Sequence, residues 1–184
     1  MQELKITGGF LRSRKVSFKS SEALRPTLSK TREAIFNVLA SYIEFEEASF
    51  LDMFAGSGIM SFEAISRGFK EVSAIDSNSG ACLDIRKNME LLSVDFTLIK
   101  GKVPNILSTT VFEGKQFSVI FVDPPYHSNL YNQTVEEMLR KNLLKEGGIL
   151  VLESLKNEDF SPNGLSLLKS KIYSDKLVTF LIKK

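Results

Sequence analysis

SFLDMFAGSGIMSFEAISRG, residues 49–68, opens with a short apolar run, turns on two closely spaced glycines, and then repeats apolar residues at helical spacing up to Gly68. That is the order strand, tight turn, helix. The alternation recurs downstream: VSAID (72–76) before a helical pattern over 79–92, FTLIK (96–100) before 103–110, FSVIFVD (117–123) before 130–142, and finally ILVLES (149–154). Short apolar runs alternating with helical segments specify a parallel sheet with helices on both faces. Gly68 is expected to end the first helix of the series, and Gly147 with Gly148 the last. The tail, LSLLKSKIYSDKLVTFLIKK (165–184), reads as two strands joined by a turn near Ser174 and Asp175, which adds an antiparallel hairpin. The expected architecture is α/β and Rossmann-like, with a mostly parallel seven-stranded sheet.

Upstream, LKITGGFLRSRKVSF (4–18) sets Gly8 and Gly9 between β-prone stretches, which predicts a small β-hairpin arm presenting Arg12, Arg14 and Lys15. After Pro26, residues Ile35, Val38, Leu39, Tyr42 and Ile43 recur at helical spacing, so 29–43 should form an amphipathic helix, capped by Ser29, that packs the arm onto the body. The expected division is an arm over 1–28 and a catalytic body over 29–184.

At 184 residues and 43% hydrophobic content the chain suits one domain plus an arm, and a disordered linker is excluded. The formal net charge is only +2, yet residues 1–32 carry eight basic side chains (Lys5, Arg12, Arg14, Lys15, Lys19, Arg25, Lys30, Arg32) against two acidic ones, while the rest is net acidic. A basic arm on an acidic body suits a polyanionic partner; the bland alternative is a solvated surface hairpin. Cys82 and His127 are the sole cysteine and histidine. They exclude an intrachain disulfide and Cys/His zinc sites, and they leave a Ser/His triad only if His127 alone serves as base. MQELKITGGF lacks the apolar stretch of a signal peptide and no run approaches the roughly 20 apolar residues of a membrane span, so a cytoplasmic protein is expected, without metal or membrane.

In an open α/β sheet, ligands sit beyond the carboxyl ends of the strands, so the informative residues are those that follow them. Asp52, Met53, Phe54, Ala55, Gly56, Ser57 and Gly58 follow the first core strand, and glycines there let a ligand approach backbone N–H groups at a helix start. Ser61 occupies the third glycine position of a GxGxxG fingerprint, which weakens a dinucleotide reading, and an ordinary strand-to-helix turn is the alternative. The next strand ends in Asp76, 20 residues after Gly56, the spacing at which an acid meets a ribose; its alternative role is a helix cap. Asp123, Pro124, Pro125 and Tyr126 follow FSVIFV. Two prolines stiffen that loop and leave its carbonyls and carboxylate as acceptors, with Tyr126 as a flat ring beside them. Such a pocket suits a planar base with an exocyclic amino group. Its alternative is a rigid turn with a surface tyrosine.

AGSG, an acid after the next strand and DPPY after the fourth together resemble the class I S-adenosylmethionine-dependent methyltransferases that act on base amino groups. With ITGGFLRSRKV, LRPTLSKTREAIFNVL and FEAISRG, the chain resembles the RsmD family of bacterial 16S ribosomal RNA guanine-N2 methyltransferases over nearly its whole length. The resemblance implies that Asp52, Phe54, Ala55, Gly56, Ser57, Gly58, Asp76, Lys102, Val103 and Asp123 surround S-adenosylmethionine, with Asp76 on its ribose. It also implies that Asp123, Pro124, Pro125 and Tyr126 receive the guanine. Arg12, Arg14, Lys15, Arg25, Thr27 and Arg32 would face the RNA. Lys102 and Val103 stand where such enzymes commonly have Asp or Asn followed by Ala, and a lysine cannot accept from the adenine amine, so that contact falls to a backbone group or is missing. Ser13 stands where the arm usually has glycine.

The implied function is methylation of N2 of a specific guanine, of the guanine-966 type, in 16S RNA or the small ribosomal subunit, by a monomer, through in-line attack on the sulfonium methyl. A DNA adenine-N6 methyltransferase would use DPPY equally well, but no segment of spare length is present for DNA recognition. A nicotinamide-dependent oxidoreductase would leave DPPY idle. A non-catalytic RNA-binding assembly factor that kept the fold is the third alternative.

Overall fold

The computed structural model describes residues 1–19, 27–125, 130–155, 164–173 and 176–184. Arg25, Tyr126, His127 and the turn expected near Ser174 and Asp175 lie outside them. Seven strands form the main sheet: β3 (Ser49–Asp52), β4 (Glu71–Asp76), β5 (Thr97–Lys100), β6 (Phe117–Val122), β7 (Leu144–Leu155), β8 (Leu165–Tyr173) and β9 (Lys176–Lys183), in the order β5-β4-β3-β6-β7-β9-β8. The first five pair in parallel; β9 pairs antiparallel with both β7 and β8, the expected terminal hairpin. A second, two-stranded antiparallel sheet joins β1 (Gln2–Lys5) to β2 (Lys15–Phe18).

The central strands carry apolar residues on both faces because helices cover both. Phe50, Val119, Phe121, Ile149 and Val151 enter one core, with Phe36 of α1 (Ser29–Leu39), Phe62 of α2 (Ile59–Ser66) and Ile85 of α3 (Ser79–Leu92). Their alternates Leu51, Ile120, Val122, Leu150 and Leu152 enter the other, with Val135 and Met138 of α4 (Leu130–Arg140). The period of two thus assigns each strand residue to a layer. The chain runs outward from β3 through β4 to β5 and then returns to β6 on the other side of β3. The carboxyl ends of β3 and β6 therefore flank the point where strand order reverses, where a crevice opens.

Several expected boundaries move. The helix expected over 103–110 is instead two 3₁₀ turns, Asn105–Ser108 and Thr110–Phe112, separated at Thr109 with φ −86° and ψ 165°. Thr109 Oγ1 donates to the Ile106 carbonyl at 2.7 Å and so competes with the backbone for it. The helix expected over 29–43 ends at Leu39, and Ser29 is its first residue rather than its cap; the Ser29 hydroxyl instead accepts from Arg32 Nη2 at 3.2 Å. Gly147 and Gly148 lie inside β7, where Phe117 pairs with Leu144 but Val119 with Ile149, so the intervening β7 residues bulge. The helix before them ends at Arg140, and beyond it Asn142 takes a positive φ of 53°, with Leu143 N–H returning to the Met138 carbonyl at 3.0 Å.

The described part of the arm, up to Lys19, is fastened to the body at several points. Ile6, Leu11 and Val16 enter the same core as Phe36 and Phe62. Ser17 and Asn88 of α3 exchange two hydrogen bonds at 2.9 and 2.7 Å, and Lys19 N–H donates to Asp84 at 2.8 Å. Phe10 N–H donates to the Ser66 carbonyl at 2.9 Å, and a Cβ on Gly9 would sit 1.7 Å from that oxygen, which explains the glycine. No helix among the described residues is long and apolar enough to cross a membrane.

Candidate active site

Asp52 closes β3 with its backbone between Ala74 and Phe121 of the neighbouring strands. The chain then turns through Ala55, whose N–H donates to the Ile75 carbonyl at 2.9 Å, and reaches Gly58, with φ 77°, which caps α2. A side chain on Gly58 would press on Ile85 Cγ1 at 2.9 Å as well as requiring that left-handed backbone. Asp76, at the end of β4, reaches across to this turn: its Oδ2 accepts from Gly56 N–H and its Oδ1 from Asn78 N–H, both at 2.7 Å. Asn78 itself caps α3, accepting from Gly80 and Ala81. The cap alternative considered for Asp76 thus falls to Asn78, leaving Asp76 to tie the glycine turn to the second strand.

One cavity of about 510 Å³ is lined by Asp52, the Phe54–Ser57 turn, Asp76, Gly101–Val103 and Asp123–Pro125. Four stretches of sequence, spread from Asp52 to Pro125, thus meet on one rim. Lys102 is exposed at its edge, whereas Val103 is buried. Phe18, Lys19 and Thr27 complete the wall, so the arm and the segment after it also border the cavity.

Two of its carboxyls are displaced from ordinary carboxylate behaviour. Burial pushes Asp52 up to about 7, opposed by the Ser61 hydroxyl, which donates to Oδ2 at 2.8 Å, and reinforced by Asp76. Asp52 Oδ1 is buried and has no hydrogen-bond partner among the described residues. Ser61, which occupies the third position of the glycine fingerprint, holds the cavity acid rather than a phosphate. Asp123 is pushed up to about 8, chiefly by burial and then by Glu153, with Lys176 opposing. Both shifts mark groups kept from water beside a cleft, as at sites where protons or charge are handled.

Glu153, Lys176 and Ser61 were not read as site residues from the sequence. Glu153 gave a signal: it is the one charge inside the apolar run ILVLES. Lys176 gave none, since it stands among other lysines of the tail. Of the expected RNA-facing residues, Arg12, Arg14 and Lys15 are exposed on the hairpin. Lys15 pairs with Glu3 at 2.6 Å, while Arg12 and Arg14 make no ion pair among the described residues. Arg32 requires correction. It is fully buried, its Nε 3.1 Å from Glu63 Oε1, its Nη1 donating to the Thr27 carbonyl at 2.5 Å and its Nη2 to the Lys5 carbonyl at 2.6 Å. No phosphate can reach it; it joins arm to body. Thr27 is likewise buried, donating to Glu153 Oε2 at 2.9 Å.

A seven-stranded sheet of this order, with a glycine turn and an Asp-Pro-Pro loop facing each other across its switch point, is that of a class I methyltransferase. A family model described as "Conserved hypothetical protein 95" matches residues 4–182, and the chain belongs to that family, the RsmD family. Among its relatives, the ribosomal RNA small subunit methyltransferase D of Haemophilus influenzae is 34% identical over 174 residues, covering 92% of this chain and 88% of the relative. The protein of the same name from Escherichia coli K12 is 33% identical over 153 residues, covering 83% and 72%. A solved structure of a candidate methyltransferase from Escherichia coli superposes with a TM-score of 0.88 at 25% identity, covering 100% of this chain and 99% of that one.

Proposed function

We propose that this methyltransferase moves the methyl group of S-adenosylmethionine to the exocyclic N2 of one guanine in 16S ribosomal RNA, of the guanine-966 type. The observation that carries the reading is the shared cavity: glycine turn, ribose-spaced acid and Asp-Pro-Pro loop line the same space of about 510 Å³. That is the size of a cofactor pocket. Relatives named for small-subunit RNA methylation support the substrate class.

The residues fit the donor. Asp76 already accepts one backbone N–H on each oxygen, and a carboxylate has about four acceptor sites, so capacity remains for the ribose hydroxyls. Gly56 lines the cavity without a side chain where the donor's tail would pass, and the unpartnered Asp52 Oδ1 offers an acceptor toward its amino group. Val103 gives an apolar wall for the adenine. Bound there, the cofactor supplies a sulfonium methyl as electrophile.

The protein's part is positioning. Asp123 and the Pro124 carbonyl accept the amino hydrogens of the guanine, which turns the N2 lone pair out of conjugation and toward the methyl. The prolines hold that carbonyl in place because their φ is fixed. As the new bond forms, N2 becomes cationic, and the ionised Asp123 stabilises that charge and accepts the proton. The hairpin, through Arg12 and Arg14, meets RNA phosphates, while the base is splayed out, because A-form RNA hides its major groove from side chains.

The test is to treat ribosomal particles lacking this modification with the protein and S-adenosylmethionine and to analyse the nucleosides by mass. N2-methylguanosine is expected, and Asp123→Ala should abolish it while S-adenosylhomocysteine still binds. No methylated guanosine from the wild type, or N6-methyladenine instead, overturns the proposal.

A further inference from the structure

Behind the Asp123–Pro125 loop runs a chain of polar contacts that methyl transfer does not by itself demand. Thr27 Oγ1 donates to Glu153 Oε2 at 2.9 Å, the Lys176 ammonium pairs with Glu153 Oε1, and Lys176 Nζ stands 3.6 Å from Asp123 Oδ2. The Tyr131 hydroxyl, from α4, donates to the backbone carbonyl of the same glutamate. The sheet brings these groups together. Asp123 follows β6, Glu153 lies in β7, and Lys176 opens β9, where it pairs with Leu155 of β7. Glu153 is wholly buried, and the Lys176 and Asp123 side chains are 13% and 18% exposed. Buried ion pairs are commonly no more stabilising than apolar residues of the same volume, so packing alone does not account for this one. Both its ends, Thr27 and Asp123, line the cavity, and Asp123 is the one that carries the charge.

We propose that Lys176, anchored by Glu153 and Thr27, is the positioning residue that holds the Asp123 side chain toward the cleft and favours the ionised form that accepts the substrate amine. The inference rests on the methyl-transfer reading for its substrate and on the geometry alone for its contacts. Among the described residues, the charged groups that act most on Asp123 are Lys176 from β9, Glu153 from β7, and Asp52 from the end of β3. The lysine favours the carboxylate; burial and the two acids oppose it. Removing the lysine must therefore move the Asp123 titration upward, and neutralising Glu153 must move it downward. A residue that merely props the fold moves neither, or moves both alike.

The experiment measures the pH dependence of kcat/KM for the wild type, Lys176→Met, Lys176→Arg, Glu153→Gln and Thr27→Val. In parallel, the Asp123 carboxyl carbon is titrated by NMR in the same proteins without substrate. Methyl transfer should rise with pH as Asp123 ionises. In Lys176→Met the midpoint should climb by about one pH unit, the effect of removing an opposite charge at this range. In Glu153→Gln it should fall, and Lys176→Arg should restore the wild-type midpoint. Thr27→Val should lower kcat more than it raises KM. An Asp123 midpoint that stays put in Lys176→Met, or moves the same way in Lys176→Met and Glu153→Gln, overturns the assignment. If the wild type transfers no methyl group yet the two NMR midpoints move apart, the proposed function fails while the positioning role stands. Should Lys176→Met not fold, the Lys176→Arg and Glu153→Gln titrations decide alone.

Discussion

Replacing Glu63 with Ala tests how the arm is held. Glu63 is fully buried in α2, and its two oxygens accept from Thr7 N–H at 2.8 Å, Thr7 Oγ1 at 2.9 Å, Arg32 Nε at 3.1 Å and Arg67 Nε at 3.3 Å. Burial already drives the Arg32 guanidinium below its ordinary value, with Glu63 as the main group opposing that. Without the carboxylate, a buried cation stays uncompensated and Thr7 loses its acceptor. Breaking a buried pair in this one-sided way costs about 3–5 kcal/mol. That is a large share of the roughly 5–15 kcal/mol a domain has, and it corresponds to a fall in Tm of about 10 °C for a chain of this size. Urea unfolding followed by circular dichroism gives the free energy, and hydrogen exchange at Thr7 and Leu11 reports whether the hairpin loosens first. The double variant Arg32→Met with Glu63→Leu removes the buried pair and should recover part of the loss, the remainder being the acceptor that Thr7 and Arg67 no longer have. A cost below about 1 kcal/mol for Glu63→Ala, or unchanged exchange in the hairpin, would refute the view that this ion pair joins arm to body.

Further outcomes follow from the same geometry. Asp76→Ala removes the acceptor of Gly56 and Asn78 and should weaken S-adenosylhomocysteine binding by roughly 10- to 100-fold, read by calorimetry, the cost of losing charged hydrogen bonds; unchanged affinity would mean the ribose lies elsewhere. Arg12→Ala with Arg14→Ala should reduce the log–log salt slope of RNA affinity by about 1.5 to 2, whereas Lys15→Ala, already paired with Glu3, should change it less. Asp52 stands raised to about 7 in the folded protein, so between the ordinary carboxyl range and pH 7 the native state binds the extra proton. Its contribution to stability is therefore present at acid pH and lost as pH rises toward 8. Asp52→Asn should flatten that loss, gaining about 3 kcal/mol at pH 8 relative to pH 5 in urea titrations; an equal effect at both pH values would contradict the burial of an ionisable Asp52.

The sequence by itself determined the layers and the rim. Alternating apolar runs bury a sheet on both faces, and the helix over 79–92 begins and ends where the pattern placed it. Because function in an open α/β sheet gathers at strand ends, Gly56, Asp76 and Asp123 were legible as neighbours from their positions after strands alone. Boundaries set by side-chain competition, as at Thr109, or by a left-handed Asn142 rather than by glycine, were not.

Charge at a distance was decided only by the fold. Arg32 reads as one more cation of a basic arm, yet tertiary packing sets it against Glu63, 31 residues away, and removes it from solvent. Thr27 meets Glu153 across 126 residues, and Lys176 reaches Asp123 because β9 inserts beside β7 rather than at the edge. Sequence periodicity reports which face of an element is apolar, since that follows from local geometry. It carries no information on which charges from remote elements share a buried volume, because pairing there depends on strand order and on the desolvation that only the assembled cores impose.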